Sequence, residues 1–360
     1  MGLADHKEIK NIRPNRNILQ ALPKIEVHRH LEGTYPIESL FRMAQKNDLD
    51  VPGDLESFKK AFQFPKNHEP DFLLFLSKFK KFWYKSIDDV AGIAYDSVKS
   101  FADESLHYIE LRFNPLHFTE LTGLNPKDVT RTIIDSSNAA AAENSMEIRY
   151  LLTFNRSVQT ASEMLKTYKD LLDIDLTGVV GIDLAGDEIN YPPELFPDFF
   201  DVIKKDGLFK IDIHAGEVTD SKNMWVSIDQ LHTDRIGHGV AAINDKKLQN
   251  VLKEKNIFLA QCITSNYQTG AWKDEKTHPI KPLTEAGVPI TLASDDPTIQ
   301  DSLLVDDYEK AVSNFGWSVE DLISSNIKSI DGCFLTDKEK TDLTDSYSKA
   351  IDRFRAGTGL

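Results

Sequence analysis

Cysteine is nearly missing from this 360-residue chain, which holds only Cys262 and Cys333. Two cysteines exclude a disulfide framework and a thiolate zinc site, and they suit the reduced interior of a cell. No apolar run approaches the length of a membrane span. The opening stretch MGLADHKEIKNIRPNRNILQ lacks the apolar centre of a signal peptide, so a cytoplasmic protein is expected. Basic clusters are missing as well, and 42 Lys and Arg against 57 Asp and Glu leave a net charge of −15. That surface repels nucleic-acid phosphates and anionic membranes, which leaves a neutral small molecule as the expected partner. Neither a phosphate loop nor an internal repeat, low-complexity tract or proline-rich linker interrupts the chain. A single domain over 1–360 is therefore expected.

What is present is a rhythm of short β-branched runs. KIEVHRH (24–30), HYIELRF (107–113), EIRYLLTF (147–154) and GVVGIDL (178–184) are followed by FKIDIH (209–214), DRIGHG (234–239), NIFLAQC (256–262) and VPITLAS (288–294). Helical patterns separate them, and strands joined by helices imply a parallel sheet. Eight such units predict an α/β fold, a (β/α)8 TIM barrel. An open doubly wound sheet is the alternative, but no Gly-x-Gly-x-x-Gly follows the first strand. Asn125-Pro126 marks a helix start, and Ser318-x-x-Asp321 and Thr336-x-x-Glu339 read as capping boxes of extra C-terminal helices. Residues 31–106 are too long for one crossover and predict a helical lid insertion after strand 1. There Phe72, Phe75, Leu76 and Phe79 recur at helical spacing, as core or as the greasy face of a lid.

IEVHRHLEGT (25–34) raises a sharper question. Alternation in a strand turns Glu26, His28 and His30 to one face and Ile25 and Val27 to the other. One His-x-His pair arises readily by chance among ten histidines. The other strand ends change its weight: Asp183 closes strand 4 before LAGDE, His214 opens HAGE after strand 5, His238 closes strand 6, and Asp295-Asp296 follow strand 8. A barrel gathers its catalytic groups at these C-terminal ends. His28, His30, His214 and Asp295 make a nitrogen and oxygen ligand set suited to zinc, which lowers the pKa of a bound water to about 7. Glu217, three residues past His214, is placed to donate a proton to a bound substrate. His238 is placed to hold the water and accept its proton. Asp296 either faces substrate or caps a turn.

These motifs have a known company. HRHLEG, GIDLAGDE, HAGE, RIGHG, SNYQTGAW and SDDP follow one another as in adenosine deaminases, of the metal-dependent amidohydrolase superfamily, and the resemblance runs from about residue 22 to 345. It implies one zinc on His28, His30, His214 and Asp295, protonation of purine N1 by Glu217, and a water positioned and deprotonated by His238. It also implies a backbone contact from Gly186 to N3, a contact from Asp296 to N7, and Ser265 and Asp183 as supporting partners of the ligands. The Phe72, Phe75 and Leu76 region, with FLSKF (75–79), resembles the family's hydrophobic gate. The expected reaction is deamination of adenosine, and of 2′-deoxyadenosine, to the inosine product and ammonia. One position departs from the pattern. Adenosine deaminases usually carry aspartate after His-x-His-Leu, where it reaches the ribose 5′-hydroxyl, and this chain has Glu32. Glutamate there is common in adenine deaminases, which keeps free adenine, or another N6-substituted purine, as the alternative substrate. A purine nucleoside is the expected partner, with a monomer favoured as the oligomeric state.

Overall fold

The computed structural model describes residues 14–66 and 68–360, so most of the N-terminal stretch read above for a signal peptide lies outside the described residues. All eight expected strands form: β1 (Lys24–His30), β2 (Leu106–Phe113), β3 (Glu147–Asn155), β4 (Val179–Ala185), β5 (Lys210–Ala215), β6 (Arg235–His238), β7 (Phe258–Gln261) and β8 (Ile290–Leu292). They pair in parallel in chain order, from β1 to β8. Helices sheathe the sheet, which is why its strands read as apolar runs. A short bridge between Arg29 and Asp295 joins the two edges. In it the His30 amide donates to the Asp295 carbonyl at 3.0 Å, and the Asp295 amide donates to the His28 carbonyl at 2.9 Å. The protein is thus a nearly closed (β/α)8 barrel.

Local chemistry sets the helix ends. Asn125 caps Pro126–Glu143, and the boxes at Ser318 and Thr336 cap Val319–Asp331 and Asp337–Thr358. Val319–Asp331 packs on β8 and β1. Asp337–Thr358 crosses near the N-terminal strand ends, where the Tyr347 hydroxyl donates to the Pro23 carbonyl at 3.0 Å.

Two local expectations change. The pairing of β1 with β2 slips between Glu26 and Arg29, so strict alternation fails there. Such a bulge re-aims side chains. Glu26 lies outside the pocket that His30 lines, accepting bonds from Ser294 Oγ at 2.8 Å and from the His28 amide at 3.1 Å. In the insertion, the apolar stripe is a five-residue helix, Phe72–Leu76, and Phe79 lies beyond it. Its last bonds tighten to three-residue spacing, with the Lys78 amide on the Phe75 carbonyl and the Phe79 amide on that of Leu76. Lys78 and Lys81 would also stack like charges on a continued helix. Before β2, Ile87–Ser100 packs against Pro126–Glu143 on the outside of the barrel.

Candidate active site

The C-terminal ends of β1, β4, β5, β6 and β8 converge on one buried cluster. His28 Nε2 lies 3.2 Å from Asp295 Oδ1, and His30 Nε2 lies 3.4 Å from the same oxygen and 3.1 Å from His214 Nε2. Ligand atoms about 2 Å from a tetrahedral zinc stand about 3.3 Å apart, so these contacts fit one shared ion. The donor set also asks for one: both ring nitrogens of His28 and Oδ1 of Asp295 are buried without a hydrogen-bond partner among the described residues. Burial pushes the His28 and His30 rings down, His30 to about 3, which keeps them in the neutral, ligating form. At Asp295 burial acts upward, but the neighbouring His28 and His238 outweigh it and hold the carboxyl well below its usual range. His28, His214, His238 and Asp295 place ligand-type atoms within 4.8 Å of one another, while His30 groups with His214 and Asp183 and with Asp295 and Asp296. Five residues therefore surround one point, with His238 beside the four expected ligands.

Backbone shape contributes to this convergence. His238 and Asp295 sit at φ of 62° and 72°, a left-handed conformation that non-glycine residues adopt at a cost and that recurs at functional sites. Two glycines make room. A Cβ on Gly237 would stand 2.7 Å from His28 Cε1, and one on Gly33 would overlap Asp296 Oδ1 at 1.8 Å.

Two of the expected ligands are braced from below. His214 Nδ1 donates to Asp183 Oδ1 at 3.0 Å, which leaves Nε2 its lone pair for a metal. Ser265 Oγ donates to Asp295 Oδ2 at 2.7 Å. Asp183 also accepts from Thr153 Oγ1 at 2.8 Å and from Arg112 at 3.1 Å. Arg112 in turn reaches Asp212 at 2.9 Å. Arg235 bonds both Asp212, at 2.9 Å, and Glu110, at 2.6 Å. The sequence reading missed this buried ladder. Its signal was the two-residue spacing of charge in the strands, Glu110 with Arg112 and Asp212 with His214. Glu188 was missed too: its carboxylate accepts the amides of Gly216, Glu217, Val218 and Thr219 at 2.7 to 3.2 Å and fixes the HAGE turn.

Above the cluster opens a pocket lined by His30, His214, Glu217, His238, Asp295 and Asp296 on its deep side. Phe72, Phe75, Leu76 and Phe79 form an apolar wall, and Gly186 and Glu32 also line it. His28, Asp183 and Ser265 lie beneath, against the lining residues. Burial, reinforced by the Asp295 and Glu188 charges, pushes Glu217 well above the usual carboxylate range. Asp296 is raised likewise by burial and by Asp295. Both are therefore shifted toward the protonated form, the form that can donate. Glu32 accepts the Asn114 amide at 2.6 Å, its other oxygen has no hydrogen-bond partner among the described residues, and burial lifts it to about 8. Asn114, His117, Lys81 and Thr269 line the pocket and were not anticipated.

The family model described as Adenosine deaminase matches residues 23–350. An adenosine deaminase of Aliivibrio fischeri (strain MJ11) is 33% identical over 337 residues, covering 92% of this chain and 99% of that protein. The chain belongs to the adenosine deaminase family. This deaminase, a hydrolase, shares its fold with two solved structures. One is an amidohydrolase from Burkholderia ambifaria with bound Zn, at TM-score 0.85 and 24% identity, covering 96% of this chain and 97% of that one. The other is the adenine deaminase of Arthrobacter aurescens, at TM-score 0.83 and 22% identity, covering 92% and 99%. Among the described residues of the deaminase, no helix is long and apolar enough to cross a membrane.

Proposed function

We propose that this deaminase hydrolyses adenosine to inosine and ammonia, accepts 2′-deoxyadenosine, and works with one zinc on His28, His30, His214 and Asp295. The carrying observation is that Glu217 and Asp296 line the pocket beside His30, His214, His238 and Asp295, with burial shifting both carboxyl groups toward their protonated, donating form. A purine offers them matching acceptors. Glu217 donates to N1, which draws electron density from C6 and opens it to attack. Asp296 donates to N7, and the Gly186 backbone meets N3. When bound, the zinc supplies a water acidified to about pKa 7. His238, 3.6 Å from Glu217, orients the attacking oxygen at C6. The oxygen adds to C6, one of its two protons restores Glu217 and the other goes to the amino group, which leaves as ammonia, and C6 becomes the carbonyl of the product. The apolar wall of Phe72, Phe75 and Leu76, part of the 31–106 insertion, closes over the base and excludes bulk water.

Adenosine is supported by the whole-length relatives of that name. Free adenine is the second reading, favoured by Glu32 where the nucleoside branch carries aspartate and by the fold shared with an adenine deaminase. A substrate panel decides. The zinc-loaded protein, mixed with adenosine, should show the ultraviolet change of inosine formation with a kcat/KM well above that for adenine. The reverse order selects the second reading, and inactivity on both overturns the purine assignment.

A further inference from the structure

A chain of polar contacts behind His238 has no part in the reading above. The backbone amide of Ile280 donates to His278 Nδ1 at 3.2 Å, His278 Nε2 meets Asn266 Oδ1 at 3.0 Å, and Asn266 Nδ2 meets His238 Nδ1 at 3.0 Å. All three side chains are at most 1% exposed, so water does not compete for these bonds.

The direction of every bond follows from the first. An amide N–H only donates, so His278 Nδ1 accepts and bears no proton. The His278 ring then carries its one proton on Nε2 and gives it to Asn266. An amide accepts through oxygen, which fixes the Asn266 orientation and turns its NH2 toward His238. His238 Nδ1 must therefore accept, and the proton of that ring sits on Nε2. Nε2 is the nitrogen that faces Glu217 in the pocket.

We propose that Asn266 and His278 are positioning residues that fix the proton of His238 on Nε2, so that His238 meets the attacking oxygen as a hydrogen-bond donor. The inference rests on the functional reading for the identity of that oxygen. It changes the role expected of His238 from sequence, because a ring protonated on Nε2 and bonded at Nδ1 has no lone pair left to take the proton of water. The opposite tautomer would require Asn266 to flip and His278 to move its proton, which would strip the Ile280 amide of its acceptor. The left-handed backbone of His238, held by Gln261 Nε2 on its carbonyl at 2.6 Å, keeps the ring in line with this chain.

The test reads the proton directly. Zinc-loaded protein carrying nitrogen-15 histidine, with the His238 signals assigned against a His238→Gln sample, should show His238 protonated at Nε2 and bare at Nδ1. Asn266→Asp keeps the shape of the side chain but offers acceptors only. It should draw a proton onto Nδ1 and lower kcat on adenosine by roughly 100-fold, the scale of losing one aimed donor, with KM within about twofold. A protonated Nδ1 in the unaltered protein overturns the proposal, as does an unchanged spectrum or kcat in the variant. If adenosine is not a substrate, the spectrum of the unaltered protein still decides the inference, so it and the functional reading fail separately.

Discussion

At the scale of single residues, chemistry turns on which groups hold protons. Glu217 is the acid of the proposed reaction only while protonated, and burial beside Asp295 and Glu188 raises its affinity for that proton. The sign follows: activity is retained below the elevated pKa and falls as pH rises through it. Glu217→Gln removes the transferable proton while keeping the side-chain shape. Steady-state assays should find kcat lowered by roughly 10²- to 10⁴-fold, with the alkaline fall abolished in the residual rate. An alkaline limb that survives the substitution would assign it to another group. Residues of this kind were legible in the sequence, because histidines and carboxylates at successive strand ends are improbable unless they meet. Glu188, Asn266 and His278 were not. Their work is to hold amides and rings in place, and nothing in a one-dimensional string says which backbone donor a buried side chain will find.

Elements decide how well those residues are aimed. The rhythm of β-branched runs made the strands readable, and each appears within a residue or two of its expected start. The bulge in β1 was not readable, since it depends on register against β2, a long-range property. The helix expected over the apolar stripe was overextended for a related reason. Apolar spacing showed that Phe72, Phe75, Leu76 and Phe79 share a side, but not that the turn tightens after Leu76. At five residues, Phe72–Leu76 is far too short to persist alone and depends on its cap and on packing. The Asp71 carboxylate accepts the Leu74 amide at 2.9 Å, and Phe75 packs with Phe64 and Ile299 in a small cluster apart from the main core. Asp71→Ala should therefore act locally. Losing the cap costs about 1 kcal/mol, which should raise KM for adenosine several-fold while the thermal midpoint moves by no more than about 2 °C. A large drop in the midpoint, with KM unchanged, would place this helix in the cooperative core instead.

For the whole molecule, barrel closure and the candidate metal centre are one event. The bridge that joins β8 to β1 runs through the backbones of His28, His30 and Asp295, so ligands from the two ends of the fold come into register as the sheet closes. The design crowds ionisable groups into the interior, and stability then depends on pH in a direction each group sets. Burial lowers His117 and His278 to about 3, so the native state resists protonation that the unfolded chain accepts, and stability is lost as pH falls below about 6.5. Glu26 and Glu32 behave oppositely. With pKa values raised to about 7 and about 8, they keep protons in the native state that the unfolded chain releases from about 4.5 upward, so their burden grows as pH rises across that window. Glu32→Gln isolates this burden, because glutamine can still accept the Asn114 amide and resembles the protonated acid. Urea unfolding should show the variant and the unaltered protein nearly equal near pH 5. The variant should gain on the order of 1–3 kcal/mol by pH 8, less than the full shift implies because water reaches part of the side chain. A difference that stays constant with pH would mean that Glu32 is ionised throughout, and that its free oxygen meets the substrate as an acceptor alone.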